Sequence, residues 1–293
     1  MSSLYLQHFG LSSPPFSITP DPGFFFAGGD RGVFIDALLH AALQAEGIVL
    51  VVGEVGSGKT LMGRMLLAKL PDHVDTVYLP NPAFSRDEII DVIARDLGID
   101  SQGSSLEVLQ QELIRRHEMG RQVVVLIDEA HAMPGESIEE VRRLSNLETC
   151  HRKLVQLILC GQPELDTLLA LPQLRQVRDR VVYRLMLHKL SNGDASRYLD
   201  HRLRVAGWRG KRLFSGFGER LLLGDAQGRV RRLNLIADKA LLAAFAQGKS
   251  QVSARHVSLA IQDAGANFSS SGIRSALLIL IAPAIIWFTE LFN

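Results

Sequence analysis

Eight consecutive residues, Gly53-Glu54-Val55-Gly56-Ser57-Gly58-Lys59-Thr60, fit the pattern GxxxxGK[ST] in full. Glycines at these positions let a backbone wrap closely around phosphate oxygens. The exposed N–H groups and the start of a following helix then face the anion. In such a loop the lysine, Lys59, reaches the β- and γ-phosphates, the hydroxyl of Thr60 coordinates Mg²⁺, and Leu61 continues the nucleotide-binding stretch. A second group follows in VVVLIDEAH. Asp128 ends an apolar run of strand length, where a carboxylate holds the metal's coordination shell, and Glu129 is placed to polarise an attacking water. With both groups present, the chemistry expected is hydrolysis of ATP with Mg²⁺ rather than nucleotide binding alone. His131 is open between a structural and a catalytic part.

Other polar side chains fit around these two groups. Gln162 follows the run KLVQLILCG and is either a sensor of the γ-phosphate or an ordinary loop glutamine beside Pro163. The segment LRQVRDRV carries Arg175, Arg178 and Arg180. An arginine there can act in trans on a neighbouring subunit's nucleotide, and Arg180, nearest the next strand, is the choice. In GRVRRLN, one of Arg229, Arg231 and Arg232 can close on the nucleotide from a lid.

The elements that must position these residues follow from pattern. IVLVVG, TVYLP, QVVVLI, KLVQLILCG and VVYRLML read as strands, mostly apolar throughout. Between them lie amphipathic helices such as SRDEIIDVIARDLG and SLEVLQQELIRRHEMG. The alternation predicts an α/β fold, a parallel sheet covered on both faces. SIEEVRRLSNLE is expected to open with a capping box of Ser137 and Glu140. Prolines 14, 15, 20 and 22 exclude a long helix before Asp30, so residues 1–46 read as an aromatic, Pro-rich segment packed on the domain. The expected organisation is that segment, a nucleotide-binding core over 47–190, a helical lid over 191–264, a Ser/Gly linker over 265–274 and an apolar tail over 275–293.

The 47 % apolar and 22 % charged composition is that of a globular protein, and the net charge of +1 announces no nucleic-acid partner. Cys150 and Cys160 have no metal-ligand spacing and read as free thiols in a reducing compartment, Cys160 buried at a strand end. The start, MSSLYLQHFG, lacks a secretory signal, so the bulk of the chain is expected in the cytoplasm. The tail SALLILIAPAIIWFTELFN is uncharged from Ser275 to Thr289. As a helix that run spans about 22 Å, and to Asn293 about 28 Å, against a hydrocarbon core of about 30 Å. Trp287 and Phe288 suit an interfacial belt and Arg274 the cytoplasmic side. Membrane insertion is preferred over docking on another membrane protein or packing as a core helix.

YLQHFGLSSPPFSITPDPGFFF, GEVGSGKT, LIDEAHAMP, LSNLET, GQPELD, LRQVRDRV, HRLRVAG and LNLIADKALLAAF occur in this order. Together they resemble the AAA+ ATPases of the ExeA/GspA group of the general secretion pathway, which serve type II secretion and type IV pilus systems, and among them the ATPases of MSHA pilus biogenesis. The likeness covers about residues 4 to 264. It implies a P-loop NTPase core of AAA+ type with a helical lid, ATP and Mg²⁺, a ring or other homo-oligomer, and inner-membrane pilus or secretion proteins as partners. It implies that Arg231 is the lid arginine, Gln162 the first sensor and Arg180 the finger, and it makes Phe16 a candidate cover for the adenine. Two departures stand out. Val230 replaces the proline of the lid motif, and with the sequence stopping at Asn293 the wall-binding function of ExeA-like members is expected to be absent.

Between Arg197 and Arg232 lies an excess of seven basic over acidic residues, ten against three. It reads as a solvated surface, as attraction to an anionic membrane, or as DNA binding. Few aromatics accompany it and no nucleic-acid module appears, which argues against DNA. A soluble DNA-associated regulator and a nucleotide-switched scaffold with negligible turnover are the alternatives to a membrane-held ATPase.

Overall fold

A computed structural model describes residues 4–44, 47–80, 85–99, 106–149 and 153–266. Cys150, the linker from 267 onward and the apolar tail lie outside the described residues. Two compact units emerge, one of residues 30–188 and one of residues 4–29 with 189–266.

The first unit holds five strands: β1 (Ile48–Gly53), β2 (Val74–Leu79), β3 (Gln122–Ile127), β4 (Val155–Gly161) and β5 (Val181–Leu187). All are parallel, in the order β2-β3-β4-β1-β5. Burial follows this order. Central β1 and β4 are buried at every residue, whereas edge strands β2 and β5 alternate or expose one side. Long apolar runs are the signature of strands covered on both faces. Numbered along the whole chain, the helices of this unit are α2 (Arg31–Gln44), α3 (Lys59–Lys69), α4 (Arg86–Asp96), α5 (Leu106–Glu118), α6 (Gly135–Ser145), α7 (Glu164–Leu169) and α8 (Arg175–Arg178). Ile48, Leu50 and Val52 of β1, with Val123, Val125 and Ile127 of β3, share a core with Ile89 and Ile93 of α4, Leu109 and Leu113 of α5, and Val141 of α6. α2 and α3 pack on each other and on β4. Gly63 of α3 brings that helix onto β3, because a Cβ there would stand 3.2 Å from a methyl of Leu126.

Two expectations are corrected. The segment 1–46, read as one aromatic, Pro-rich stretch, is not uniform, since α2 begins at Arg31, nine residues after Pro22. Nor do Ser137 and Glu140 form a capping box. α6 starts at Gly135 with Pro134 as its N-cap, which puts Ser137 inside the helix and buries both side chains. A Pro at this position enters with its φ preset. The capping box present is that of α4, where the Glu88 carboxylate accepts from Ser85 N–H at 2.7 Å and Ser85 Oγ at 2.8 Å.

The second unit packs α9 (Asn192–Val205), α10 (Gly216–Ala226), α11 (Val230–Ala246) and α12 (Ala254–Ala266) around an apolar core. The N-terminal segment, with the single turn α1 (Leu6–Phe9), is built into the same core. Tyr5, Phe9, Leu11 and Phe16 are buried in it. The Tyr5 hydroxyl bonds Asp238, and Ser12 donates its N–H and its hydroxyl to Ala206 O at 2.8 and 2.9 Å. Buried Arg202 reaches Pro15 O at 2.5 Å and lies 4.3 Å over the Phe24 ring. Phe16 is 1 % exposed and edge-on to Phe214, so its ring faces are enclosed and cannot stack on an adenine.

Candidate functional site

The C-terminal ends of three neighbouring strands, β1, β4 and β3, carry the polar groups picked out by the sequence. In open parallel sheets this edge is where ligands bind. From β1 the chain enters the glycine loop. A Cβ on Gly53 would meet Leu187 O and Ser57 Oγ at 2.8 Å, so the loop closes only around a bare Cα. Gly58, the N-cap of α3, has φ 106, a left-handed value that glycine adopts without strain. Lys59 is the first residue of α3 and is 5 % exposed. Its ammonium donates to Gly53 O at 2.7 Å and Glu54 O at 3.2 Å, so it points back into the loop. Burial lowers its pKa, opposed by the charges of Glu129 and Asp128. Ser57 Oγ is buried within the loop with no hydrogen-bond partner. Glu54 and Val55 form the exposed tip, while Gly56, Thr60 and Leu61 are half-buried.

The loop meets β3 through one short contact. Thr60 Oγ1 donates to Asp128 Oδ2 at 2.8 Å across 68 positions of sequence. Asp128 is 2 % exposed, its N–H donates to Leu79 O at 2.9 Å, and its Oδ1 accepts the Glu129 N–H at 2.9 Å. The Tyr78 hydroxyl lies 3.4 Å from Asp128 Oδ2, and burial together with that carboxylate pushes its pKa up to about 12. Cys160, at the end of β4, is buried and its pKa is pushed up first by burial and then by Asp128, so it stays a thiol.

Glu129 has φ 53, left-handed for a residue with a Cβ. Its carboxylate, 45 % exposed, lies beside the residues that follow β4. There the Gln162 amide nitrogen lies 3.4 Å from Glu129 Oε2 and 2.7 Å from His131 Nε2. The structure therefore brings together Lys59, Thr60, Asp128, Glu129, Gln162 and His131. Arg180 sits elsewhere on the same unit, half-buried before β5, its carbonyl accepting Ile48 N–H at 2.9 Å. Arg175 pairs with Asp179 at 3.7 Å, and Arg178 is exposed. Arg231 is exposed in the first turn of α11 on the helical unit, next to Arg232, which bonds Asp225 at 2.7 Å. Of the basic excess in that unit, Arg204, Arg209, Lys211 and Arg212 line a surface cavity of about 440 Å³ with Asp200 and Trp208.

One member was not picked out beforehand. Arg31, 4 % exposed, opens α2 and donates from Nη2 to Ser57 O at 3.0 Å. The signal was available, because Arg31 heads the stripe Ile35, Leu38, Ala42 that α2 buries. A lone cation on a helix's apolar stripe marks a buried polar partner.

The donor set fits a nucleotide with Mg²⁺. A buried ammonium, an orphaned hydroxyl and a glycine loop at a helix start suit phosphate oxygens. One hydroxyl and one carboxylate suit Mg²⁺, which keeps several waters and takes its other oxygens from substrate. Among the described residues no three His, Cys, Asp or Glu side chains form a closed cage.

Comparison with known proteins agrees with this geometry. A family profile described as "AAA domain" matches residues 42–169. General secretion pathway protein A of Aeromonas hydrophila is 36 % identical over 289 residues, covering 97 % of this chain and 52 % of its own length. The chain thus spans about half of that relative. Among solved structures, Cdc6p of Pyrobaculum aerophilum aligns with a TM-score of 0.65 at 18 % identity, over 94 % of this chain and 73 % of that one. ORC1 of Aeropyrum pernix, solved in complex with DNA, gives 0.64 at 18 %, over 85 % and 69 %. The Thermotoga maritima RuvB branch migration motor gives 0.53 at 13 %, over 80 % and 69 %. These three share the fold. By its fold and its glycine loop the chain has the architecture of an AAA+-type P-loop protein, and over 97 % of its length it is similar to general secretion pathway protein A.

Proposed function

We propose that the chain is a Mg²⁺-dependent ATPase. Its turnover drives assembly or remodelling of a type II secretion or MSHA-like type IV pilus complex at the cytoplasmic face of the inner membrane. It works as a homo-oligomer and is held at the bilayer by its apolar tail. The reading rests above all on the Thr60 hydroxyl and the Asp128 carboxylate meeting at 2.8 Å beside a buried lysine.

Lys59 exchanges its carbonyl partners in the loop for the β- and γ-phosphate oxygens. The loop from Gly53 to Leu61 presents its N–H groups to the same phosphates. Thr60 and Asp128 would hold Mg²⁺, which when bound would offset the negative charge of the phosphates. Glu129 accepts a proton from the attacking water, the general-base part that a half-exposed carboxylate can perform. Gln162 donates its amide to the γ-phosphate. Arg231 approaches from the lid, and Arg180 acts on a neighbouring subunit's nucleotide. The secretion assignment comes from the relative named general secretion pathway protein A.

The test is steady-state phosphate release by the purified full chain, with and without Mg²⁺. Release that needs the metal is expected. A chain that binds ATP and releases no phosphate is a nucleotide-switched scaffold instead. Carbonate-washed membranes should retain the full chain and lose a chain ending at Ala266. If both wash off, the tail is not an anchor.

A further inference from the structure

The contact between His131 and Gln162 joins two nitrogens, and that fixes more than a distance. The Gln162 amide nitrogen and His131 Nε2 stand 2.7 Å apart. An amide nitrogen only donates, so His131 Nε2 must accept. With the amide in this orientation the ring proton is placed on Nδ1, which is buried and has no hydrogen-bond partner. The same amide group lies 3.4 Å from Glu129 Oε2, and His131 Nε2 lies 3.6 Å from that oxygen. One amide thus serves two acceptors, the imidazole and the carboxylate. Turning it round would put its oxygen against the carboxylate, like charge to like.

The backbone holds all three groups in place. Gly161 packs so closely that a Cβ on it would stand 3.4 Å from the His131 backbone nitrogen and 2.6 Å from a methyl of Leu165. Gln162 O accepts from Leu165 N–H at 2.9 Å at the start of α7. Glu129 O accepts from Ala132 N–H at 2.9 Å in the single turn that carries His131. The His131 side chain is 17 % exposed, so it has little room to leave. Such an arrangement is stiff at the backbone and adjustable only in the Gln162 amide and the imidazole proton.

We propose that His131 is a positioning residue that fixes the orientation of the Gln162 amide and through it the Glu129 carboxylate. The inference rests on the hydrolytic reading of this site. In this state the amide is shared by His131 and Glu129, and Glu129 is held back beside β4. When Gln162 turns its N–H groups toward another acceptor, its oxygen comes to face the imidazole. A proton on Nε2, transferred from Nδ1 by way of solvent, then lets His131 donate to that oxygen. Nδ1 then becomes an acceptor. Glu129 loses its hold at the same moment. His131 would thereby make release of the carboxylate conditional on what Gln162 contacts.

The first test needs no turnover. ¹⁵N-labelled full chain without nucleotide should show the His131 ring as the neutral form protonated at Nδ1. Saturation with a non-hydrolysable ATP analogue should shift the proton toward Nε2. A ring protonated at Nε2 before nucleotide is added, or one unmoved by the analogue, overturns the proposal. The second test is kinetic. His131→Phe keeps bulk and removes the acceptor, and it should lower kcat by about tenfold with KM for ATP unchanged, the worth of one oriented hydrogen bond. His131→Gln restores an acceptor near the position of Nε2 and should recover most of that loss. Equal kcat in the phenylalanine variant and wild type sinks the idea, as does an equal loss in both variants. Should His131→Phe fail to fold, the ring proton of the wild type still decides. A wild-type chain that releases no phosphate refutes the hydrolytic reading, and the ring measurement remains valid for the positioning one.

Discussion

At the scale of single residues, the site turns on the backbone of Glu129. A left-handed φ on a residue with a Cβ costs about 1–2 kcal/mol, and Glu129 carries one at φ 53. Because of it, two adjacent acids face different partners: Asp128 turns to Thr60 and Glu129 to Gln162. Strain of this kind persists where the surroundings impose it and function uses it. Glu129→Gln keeps the shape, since the new amide oxygen can still accept from Gln162, and it removes only the basic oxygen. ATP affinity should be unchanged while phosphate release falls by about 10²–10⁴-fold. Equilibrium binding and single-turnover phosphate release on one preparation measure both, and full turnover in the variant refutes the assignment. Lys59, Thr60, Asp128 and Glu129 were legible beforehand because their spacing and strand context are local. The sharing of one amide by His131 and Glu129 was not, because Gln162 comes from a different strand. Arg31 escaped for the same reason, its partner Ser57 being 26 positions away.

Elements were legible to the degree that burial imposes a period. β1 and β4 are covered on both faces and read as unbroken apolar runs. The order β2-β3-β4-β1-β5 could not be read, since every crossover looks alike in a list of strands and helices. α2 was obscured because its buried stripe is rich in alanine and begins with arginine. The edge strand β2 has only one strand neighbour and needs other ties. Asp75 supplies one, taking Arg116 Nη1 from α5 at 2.6 Å and Arg121 Nε at 2.8 Å just before β3. The hydrogen bond from Arg121 lowers the Asp75 pKa most, burial opposes it, and the hydrogen bond from Arg116 lowers it further, so the net shift is downward. A carboxylate whose folded pKa is depressed contributes stability that is present above its unfolded pKa and is lost as pH falls through the folded one. Asp75→Asn should therefore destabilise the chain at pH 7. The gap from wild type should begin to narrow as pH falls below about 3.8, the unperturbed value, and close only below the depressed folded value. Urea midpoints at pH 7 and pH 3 test this, and a gap that widens in acid would contradict it.

For the whole molecule the question is whether one chain completes its own site. The Arg180 carbonyl bonds Ile48 N–H, at the first residue of β1, whereas the phosphate loop begins at Gly53, the last. Five residue steps of extended strand separate those levels by about 17 Å. An arginine side chain cannot cross that distance while its backbone stays in register at the far end of the sheet. Arg180 therefore has no route to the phosphate loop of its own chain, and any part it plays in hydrolysis is played on another copy. That geometry makes oligomerisation testable through kinetics. Arg180→Ala should bind ATP and release little phosphate, and Glu129→Gln should do the same for a different reason. Mixed and allowed to exchange subunits, they should regain turnover, because an intact Glu129 from one chain can meet an intact Arg180 from the other. Chance pairing in an equal mixture restores roughly a quarter of the sites. Recovery that grows with total protein concentration identifies a site shared between chains. If the mixture stays as inactive as either variant alone, Arg180 does not act across a subunit boundary. If Arg180→Ala alone turns over like wild type, the finger must be sought at Arg175 or Arg178, the other two cations of the same segment.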